Sequence, residues 1–240
     1  MNPDPTPLII AIDGPAGSGK STVAKAVARR VGLHYLDTGA MYRAVAWAAM
    51  TAGIDVTSDL PANDELVSAI ARGIELEMTT DTIHVNGEDA SSAIRSPEVT
   101  RAVSRVAANL GVRDEMRDRQ RRFAETKGGV VMEGRDIGTV VFPDAAVKVY
   151  LTASLGERAR RRAIQSGADP AEVEAEMRRR DDLDSSRKHA PMKRADDAVE
   201  LDTTMLSIDE VADAIAAIAD AISADSTTSA GEAAQEGSHG

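Results

Sequence analysis

From Leu8 the chain opens on LIIAID, apolar at every position up to the closing aspartate, and Gly14-Pro15 ends the run. A short, β-branched, uninterrupted apolar stretch bounded by turn residues predicts a buried strand. From Lys20 the spacing changes. Val23, Ala24, Val27, Ala28 and Val31 recur at helical intervals, and Gly32 stands where a C-capping glycine belongs. Strand-like runs return at residues 33–37, 129–134, 147–152 and 198–203, with helical patterns between or after them. Such alternation predicts an α/β fold, a five-stranded parallel sheet flanked by helices on both faces.

One region breaks the alternation. Residues 74–85, IELEMTTDTIHV, switch between apolar and polar, and Asn86-Gly87 supplies a hairpin-type turn. A small antiparallel patch is therefore expected inside the α/β core, followed by helices over 97–108 and 112–126, the first opened by Ser96-Pro97. Ser154 with Glu157, and Ser207 with Glu210, have capping-box spacing and mark two further helix starts. The second of these helices, SIDEVADAIAAIADAI, closes the fold at 222. Residues 223–240 hold no apolar side chain larger than alanine, which predicts a disordered tail, and residues 1–7 are expected to be disordered as well.

Composition narrows the function classes. Of 240 residues 42% are hydrophobic, enough for a core, but aromatics at 2% leave it to Ala, Val, Ile, Leu and Met. A net charge of −11 argues against a general nucleic-acid surface while leaving room for a local basic pocket. Zero cysteines remove disulfides, thiol catalysis and Cys-ligated zinc together. The N-terminus has no signal-peptide pattern, and no segment approaches membrane-span length. The expectation is a cytoplasmic protein with no nucleic-acid or membrane partner.

The chemistry begins at GPAGSGKS, residues 14–21, which fits the phosphate-loop pattern and lies between a predicted strand and a predicted helix. Its glycines let backbone N–H groups of Gly14, Pro15, Ala16, Gly17, Ser18, Gly19, Lys20, Ser21 and Thr22 (proline excepted) turn inward at a β-phosphate. The following helix adds its dipole. Lys20 would reach the β- and γ-phosphates, and the Ser21 hydroxyl would take Mg²⁺. The loop fixes the donor and leaves the acceptor open. No N-K-x-D guanine reader is present, and the acids at strand ends, Asp37 and Asp136, do not follow the long apolar strand of an ATP motor. Both absences favour a small-molecule kinase.

Three clusters speak to the acceptor. LDTGAMYR places Thr38 and Arg43 together beside a helix start, a reasonable anion site. EGRDIGTVVFPD places Arg135 and Asp136 just after a strand, where parallel α/β sheets bind ligands. Between Arg158 and Arg194 the chain is dense in arginine, with Arg158, Arg161 and Arg162 on one helical face. Several of these pair along the helix surface. A subset suits a mobile lid over a transferring phosphoryl group, about residues 155–188.

These stretches, with GEDASSAIRSPEVTRAVSRVAA, VKVYLTAS, RRRDDLDSSR and LDTTMLSIDEV, resemble the bacterial cytidylate kinases, a family of P-loop nucleoside monophosphate kinases, in order from Leu8 to Ile222. The resemblance implies a P-loop kinase core over 8–58 and 129–222, and a nucleoside-monophosphate-binding insertion over 59–128 that carries the small sheet. It implies that Thr38, Arg43 and Arg135 grip the CMP phosphate, and that Ser104, Arg113 and Asp136 read cytosine. Arg180, Asp184 and Arg187 would contact ribose and phosphate, and Arg158 and Arg162 would fall in the lid. Lys20, Arg135, Arg158, Arg162 and Arg187 are then the residues expected to stabilise the transfer, with Ser21 and Asp37 organising Mg²⁺. The implied reaction is ATP plus CMP or dCMP to ADP plus CDP or dCDP, by a monomer. Two other readings stay open at this point: a kinase for UMP, shikimate or a coenzyme precursor, and a nucleotide-binding module without activity.

Overall fold

The computed structural model describes residues 7–57 and 60–236, those from 223 on as backbone only. The chain begins with β1 (Leu8–Asp13), α1 (Lys20–Val31), β2 (His34–Asp37) and α2 (Thr38–Thr51). Next come α3 (Pro61–Gly73), β3 (Leu76–Met78), β4 (Ile83–Val85), β5 (Glu88–Asp89), a 3₁₀ turn (Ala93–Arg95), α4 (Pro97–Val106) and α5 (Leu110–Lys127). The chain then resumes with β6 (Gly129–Glu133), a π-helical turn (Ile137–Val141) and β7 (Val147–Thr152). It closes with α6 (Leu155–Ser166), α7 (Pro170–Ser185), β8 (Val199–Asp202) and α8 (Ile208–Glu236).

Five strands make one parallel sheet in the order β2-β6-β1-β7-β8, and all five predicted strands form within a residue of their expected ends. The central strands are buried on both faces, which is why they read as continuous apolar runs rather than as alternation. One face carries α1 and α8, packing Val23, Val27, Val211 and Ile215 against Ile10, Ile12 and Val149. The other packs Ile9, Ala11 and Met132 against α2, α4 and α5 through Met41, Val45, Val103 and Met116. Each fully buried aliphatic side chain there contributes about 1.5–3 kcal/mol. Helices α4 and α5 therefore share the core of the sheet. A third, small cluster, Ala159, Ala163, Val173 and Met177, joins α6 to α7.

The antiparallel patch is present as β3-β4-β5. Asn86-Gly87 turns β4 into β5, both residues with positive φ (51° and 81°), as a two-residue hairpin requires. The β3–β4 turn lies at Thr79–Thr82 instead, with Thr79 N donating to Thr82 O at 3.0 Å. Helix α3, ahead of the patch, has no counterpart in the sequence reading.

Two expectations need correction. Ser207 and Glu210 form a reciprocal box, at 3.2 and 2.8 Å, but at Ser154 only half of one exists. Glu157 turns away to Arg160 and Arg161, because two guanidiniums outcompete one backbone N–H. The expected disordered tail is overtaken by α8, which runs to Glu236. An alanine-rich stretch without proline favours that continuation, since alanine has the highest helix propensity. Residues 237–240, and 1–6 of the N-terminal stretch expected to be disordered, lie outside the described residues.

Candidate active site

All five parallel strands point their C-terminal ends at one edge, where ligands bind in open α/β sheets. There β1 runs out at Asp13 and the chain turns through Gly14–Gly19 into α1. Two of these glycines are dictated by the backbone. A Cβ on Gly14 would lie 2.1 Å from the Leu151 carbonyl oxygen of β7, and Gly17 has φ 75°, the left-handed region that side chains disfavour. The loop wraps Lys20, whose Nζ donates to Pro15 O at 2.6 Å, while Ser18 Oγ donates to the same carbonyl at 3.1 Å. Burial, then the charge of Arg135, pushes the Lys20 ammonium down to about 7, against the pull of Glu133 and Asp13. Ser21 and Thr22 stand exposed in the first turn of α1, where the Ser21 hydroxyl also reaches Glu133, so a phosphate over that turn meets accessible hydroxyls.

Helices α6 and α7 sit on this loop. Arg158 Nη1 donates to Ala16 O at 3.0 Å and to Asp181 Oδ2 at 2.6 Å, so one guanidinium bridges the phosphate loop and α7. Arg161 Nη2 donates to Thr203 O at 2.6 Å and ties α6 to the end of β8. Arg162 differs: it is exposed and joins none of these contacts. The three arginines that share a face in the sequence thus have three different environments.

Across from the loop lies the acceptor cluster. Thr38 Oγ1 donates to Glu133 O at 2.7 Å, and Arg43 Nη2 donates to Asp37 Oδ2 at 2.8 Å. Arg113 of α5 donates to Asp136 in a buried ion pair, with the Arg113 guanidinium 5.8 Å from the Tyr42 ring centre. Burial raises the Asp136 carboxyl, and the charges of Arg113 and Arg187 oppose the rise. Asp184, 1% exposed, accepts from Arg135 Nε at 3.1 Å, from Ser104 Oγ at 3.2 Å and from Arg187. Arg180 completes the group, and burial followed by the charge of Arg135 lowers its guanidinium to about 10. Residues far apart in sequence are thus brought together: Arg43, Arg135, Arg180 and Arg187 within electrostatic reach of one another, with Ser104, Arg113 and Asp136 beside them. The cluster has more cations than partners. Arg43 Nε, Arg180 Nε and Arg187 Nε are buried without an acceptor, which is the signature of a site shaped for an anion.

The cytidylate kinase family model matches residues 10–221. The chain belongs to the cytidylate kinase family. A cytidylate kinase from Bacillus cereus (strain ATCC 10987 / NRS 248) is 48% identical over 220 residues, covering 88% of this chain and 95% of that protein. A bifunctional pantoate ligase/cytidylate kinase from Parasynechococcus marenigrum (strain WH8102) is 50% identical over 218 residues. That alignment takes in 86% of this chain and 42% of the relative, so the chain spans under half the length of that two-function protein. Among solved structures, a gluconokinase from Sinorhizobium meliloti 1021 aligns over 93% of this chain and 98% of its own at 16% identity and TM-score 0.42, a likeness that carries no further argument.

In this cytidylate kinase family member the acids beside Lys20 are more numerous than the sequence suggested. Glu133 closes β6 directly opposite Asp37 of β2 and is 4% exposed. Burial, then the charge of Asp37, raises its carboxyl, while Lys20, the Ser21 hydroxyl and Tyr35 hold it down. Tyr35 Oη donates to Glu133 Oε1 at 2.5 Å. Asp37 is held the other way. Burial raises it, but Arg43, the Ala40 N–H and Arg95 together bring it below its usual range. Ser21, Asp37 and Glu133 bring oxygen donors together at the phosphate loop, the donor type that hard divalent cations take. Sequence reasoning missed Glu133, whose only signal is that it is the last residue of an apolar run.

Proposed function

We propose that the protein transfers the γ-phosphoryl group of ATP to CMP and dCMP, giving ADP and CDP or dCDP. The observation that carries this reading is the arginine cluster with three unpaired buried Nε–H groups beside the Arg113–Asp136 pair. A nucleoside monophosphate offers what that arrangement lacks: an anion for Arg43, Arg135, Arg180 and Arg187, and a base edge for the pair. Cytosine presents an N4 amine donor beside N3 and O2 acceptors. Asp136 accepts from the amine, and Arg113 donates to the acceptor edge.

On the donor side, Lys20 leaves Pro15 O for the β- and γ-phosphates, and its lowered pKa returns upward once two anions face it. Mg²⁺ would neutralise charge on the nucleotide phosphates, and Ser21, Asp37 and Glu133 are the residues that would hold it or its waters. Lys20, Arg135 and Arg187 then stabilise charge on the in-line transfer, and Arg158 holds α7 over the loop. Arg162, exposed in this structure, joins only if the lid closes further. The acceptor oxygen needs no general base, since the second phosphate pKa is about 6 and the group is already anionic near neutral pH. Seating α6 and α7 over the loop excludes water, the competing acceptor. We infer a monomer working in a reducing compartment, to which a chain without cysteine is suited.

The test is ADP release with CMP, dCMP, UMP, AMP and shikimate offered in turn. Turnover with CMP and dCMP well above the others is expected. Equal turnover with UMP or AMP contradicts the assignment of the base pocket.

A further inference from the structure

Asp13 stands immediately before the phosphate loop, and none of the nucleotide contacts assigned above uses it. It is 5% exposed, at the end of β1. Its Oδ1 accepts from Ile137 N at 2.9 Å and its Oδ2 accepts from Gly138 N at 2.8 Å. These two N–H groups belong to the residues directly after Arg135 and Asp136, where the chain enters the π-helical turn Ile137–Val141. A Cβ on Gly138 would stand 3.5 Å from Asp13 Oδ2, an ordinary contact, and 3.3 Å from the Lys148 side chain.

A carboxylate is the group that satisfies both donors at once, one at each oxygen. An amide offers one acceptor oxygen and would set its NH₂ against the other N–H. Holding that charge inside the protein is costly. Burial pushes the Asp13 carboxyl up to about 6 in spite of the two backbone hydrogen bonds, with Asp136 raising it further and Lys20 opposing. A buried carboxylate held against such a penalty, and spent on two backbone donors of one turn, fixes the place of that turn. π-Helical turns of this kind occur often at functional sites.

We infer that Asp13 is a positioning residue for base selection, fixing the Arg135–Asp136 segment against the phosphate loop so that acceptor specificity depends on a side chain from the donor side. The inference rests on the reading of Asp136 as the cytosine reader. It also accounts for an aspartate directly ahead of the loop, which phosphate binding itself does not require.

The experiment compares Asp13→Asn with wild type for kcat and KM toward CMP and UMP, together with ATP binding to each enzyme and melting temperature. The expected result is a KM for CMP raised about tenfold, the scale of one lost charge-assisted hydrogen bond. The CMP/UMP ratio in kcat/KM should fall with it, while ATP affinity stays within about twofold and the protein stays folded. A variant that keeps the wild-type KM for CMP and the wild-type ratio overturns the inference, as does one that loses ATP and CMP binding equally. If wild type itself shows no preference for CMP, the functional reading fails and takes this inference with it, a result separable from the others because it needs no variant. Should Asp13→Asn not fold, amide hydrogen exchange in wild type decides. Slow exchange at both Ile137 and Gly138 supports the two contacts, and fast exchange at both overturns them.

Discussion

Asp184 accepts a hydrogen bond from Arg135 Nε at 3.1 Å, and that contact joins α7 to the turn after β6. Arg187 and Ser104 bond the same carboxylate, so one acid holds the lid-side helix, the acceptor cluster and α4 together. Burial works against its charge, yet Arg135, Arg187 and Arg180 bring its carboxyl below the ordinary value. A folded value below the unfolded one means stabilisation present above the unfolded pKa and lost as pH falls through the folded one.

Asp184→Ala should therefore leave three guanidiniums facing each other with no carboxylate among them. Removing one partner of a buried pair costs about 3–5 kcal/mol, and a clear fall in melting temperature at pH 7 is expected. Added phosphate or CMP should restore part of it by neutralising the cluster. Scans from pH 7 down to pH 3 check the sign: the gap between wild type and Asp184→Asn should shrink as the wild-type carboxylate protonates.

Lys20 also has a depressed pKa, but in its case burial disfavours the charged form and the nearby Glu133 and Asp13 do not repay the cost. Its folded pKa of about 7 lies under the ordinary 10.5, so the unfolded chain binds more protons between those values. Wild-type stability should accordingly rise with pH across that window relative to Lys20→Met. Near pH 7 the variant should melt at or above the wild-type temperature while losing roughly 10²-fold or more in kcat. A thermal scan at pH 7 and at pH 10, beside one turnover assay, reads both. A variant that is active, or less stable at pH 7 than at pH 10 relative to wild type, contradicts this.

The sheet was legible because its central strands are buried on both faces and bounded by turn residues, and the phosphate loop because its glycines and Lys20-Ser21 keep the phosphate-loop spacing between a strand and a helix. The contents of the acceptor site were less so. That Arg135 and Arg187 share Asp184, or that Arg158 leaves Arg162 exposed, depends on where α6 and α7 cross the loop, which local patterning does not encode. Glu133 was hidden by its own strand: a carboxylate closing an apolar run reads as a strand end until Asp37 appears opposite it. Helix α3 was missed because exposed apolar residues, Leu60 at its N-cap and Leu66 within it, blur the apolar stripe.

The tail gives a prediction of small effect. Among the described side chains, those by which α8 packs on the sheet and α1 run from Val211 to Ile222. Truncation after Ser223 should shift stability by less than about 1 kcal/mol and leave turnover unchanged. Thermal melting and a CMP assay on the truncated chain check this, and a large fall in either would place a docking role on the removed segment.

The central claim is that the buried Arg113–Asp136 pair reads cytosine. Uracil carries a carbonyl where cytosine carries its amine, so UMP would set two acceptors against each other. A site built for such a hydrogen bond rejects the wrong partner by up to roughly 10⁴-fold, and water entry softens that to about 10²-fold in kcat/KM. Asp136→Asn gives the carboxylate's place to an amide that can rotate to donate to uracil O4. The measurement is kcat/KM for CMP and UMP in wild type and Asp136→Asn. The account predicts a wild-type preference for CMP of about 10²-fold or more that narrows in the variant, with CMP activity falling further than UMP activity. An unchanged CMP/UMP ratio in Asp136→Asn would contradict it.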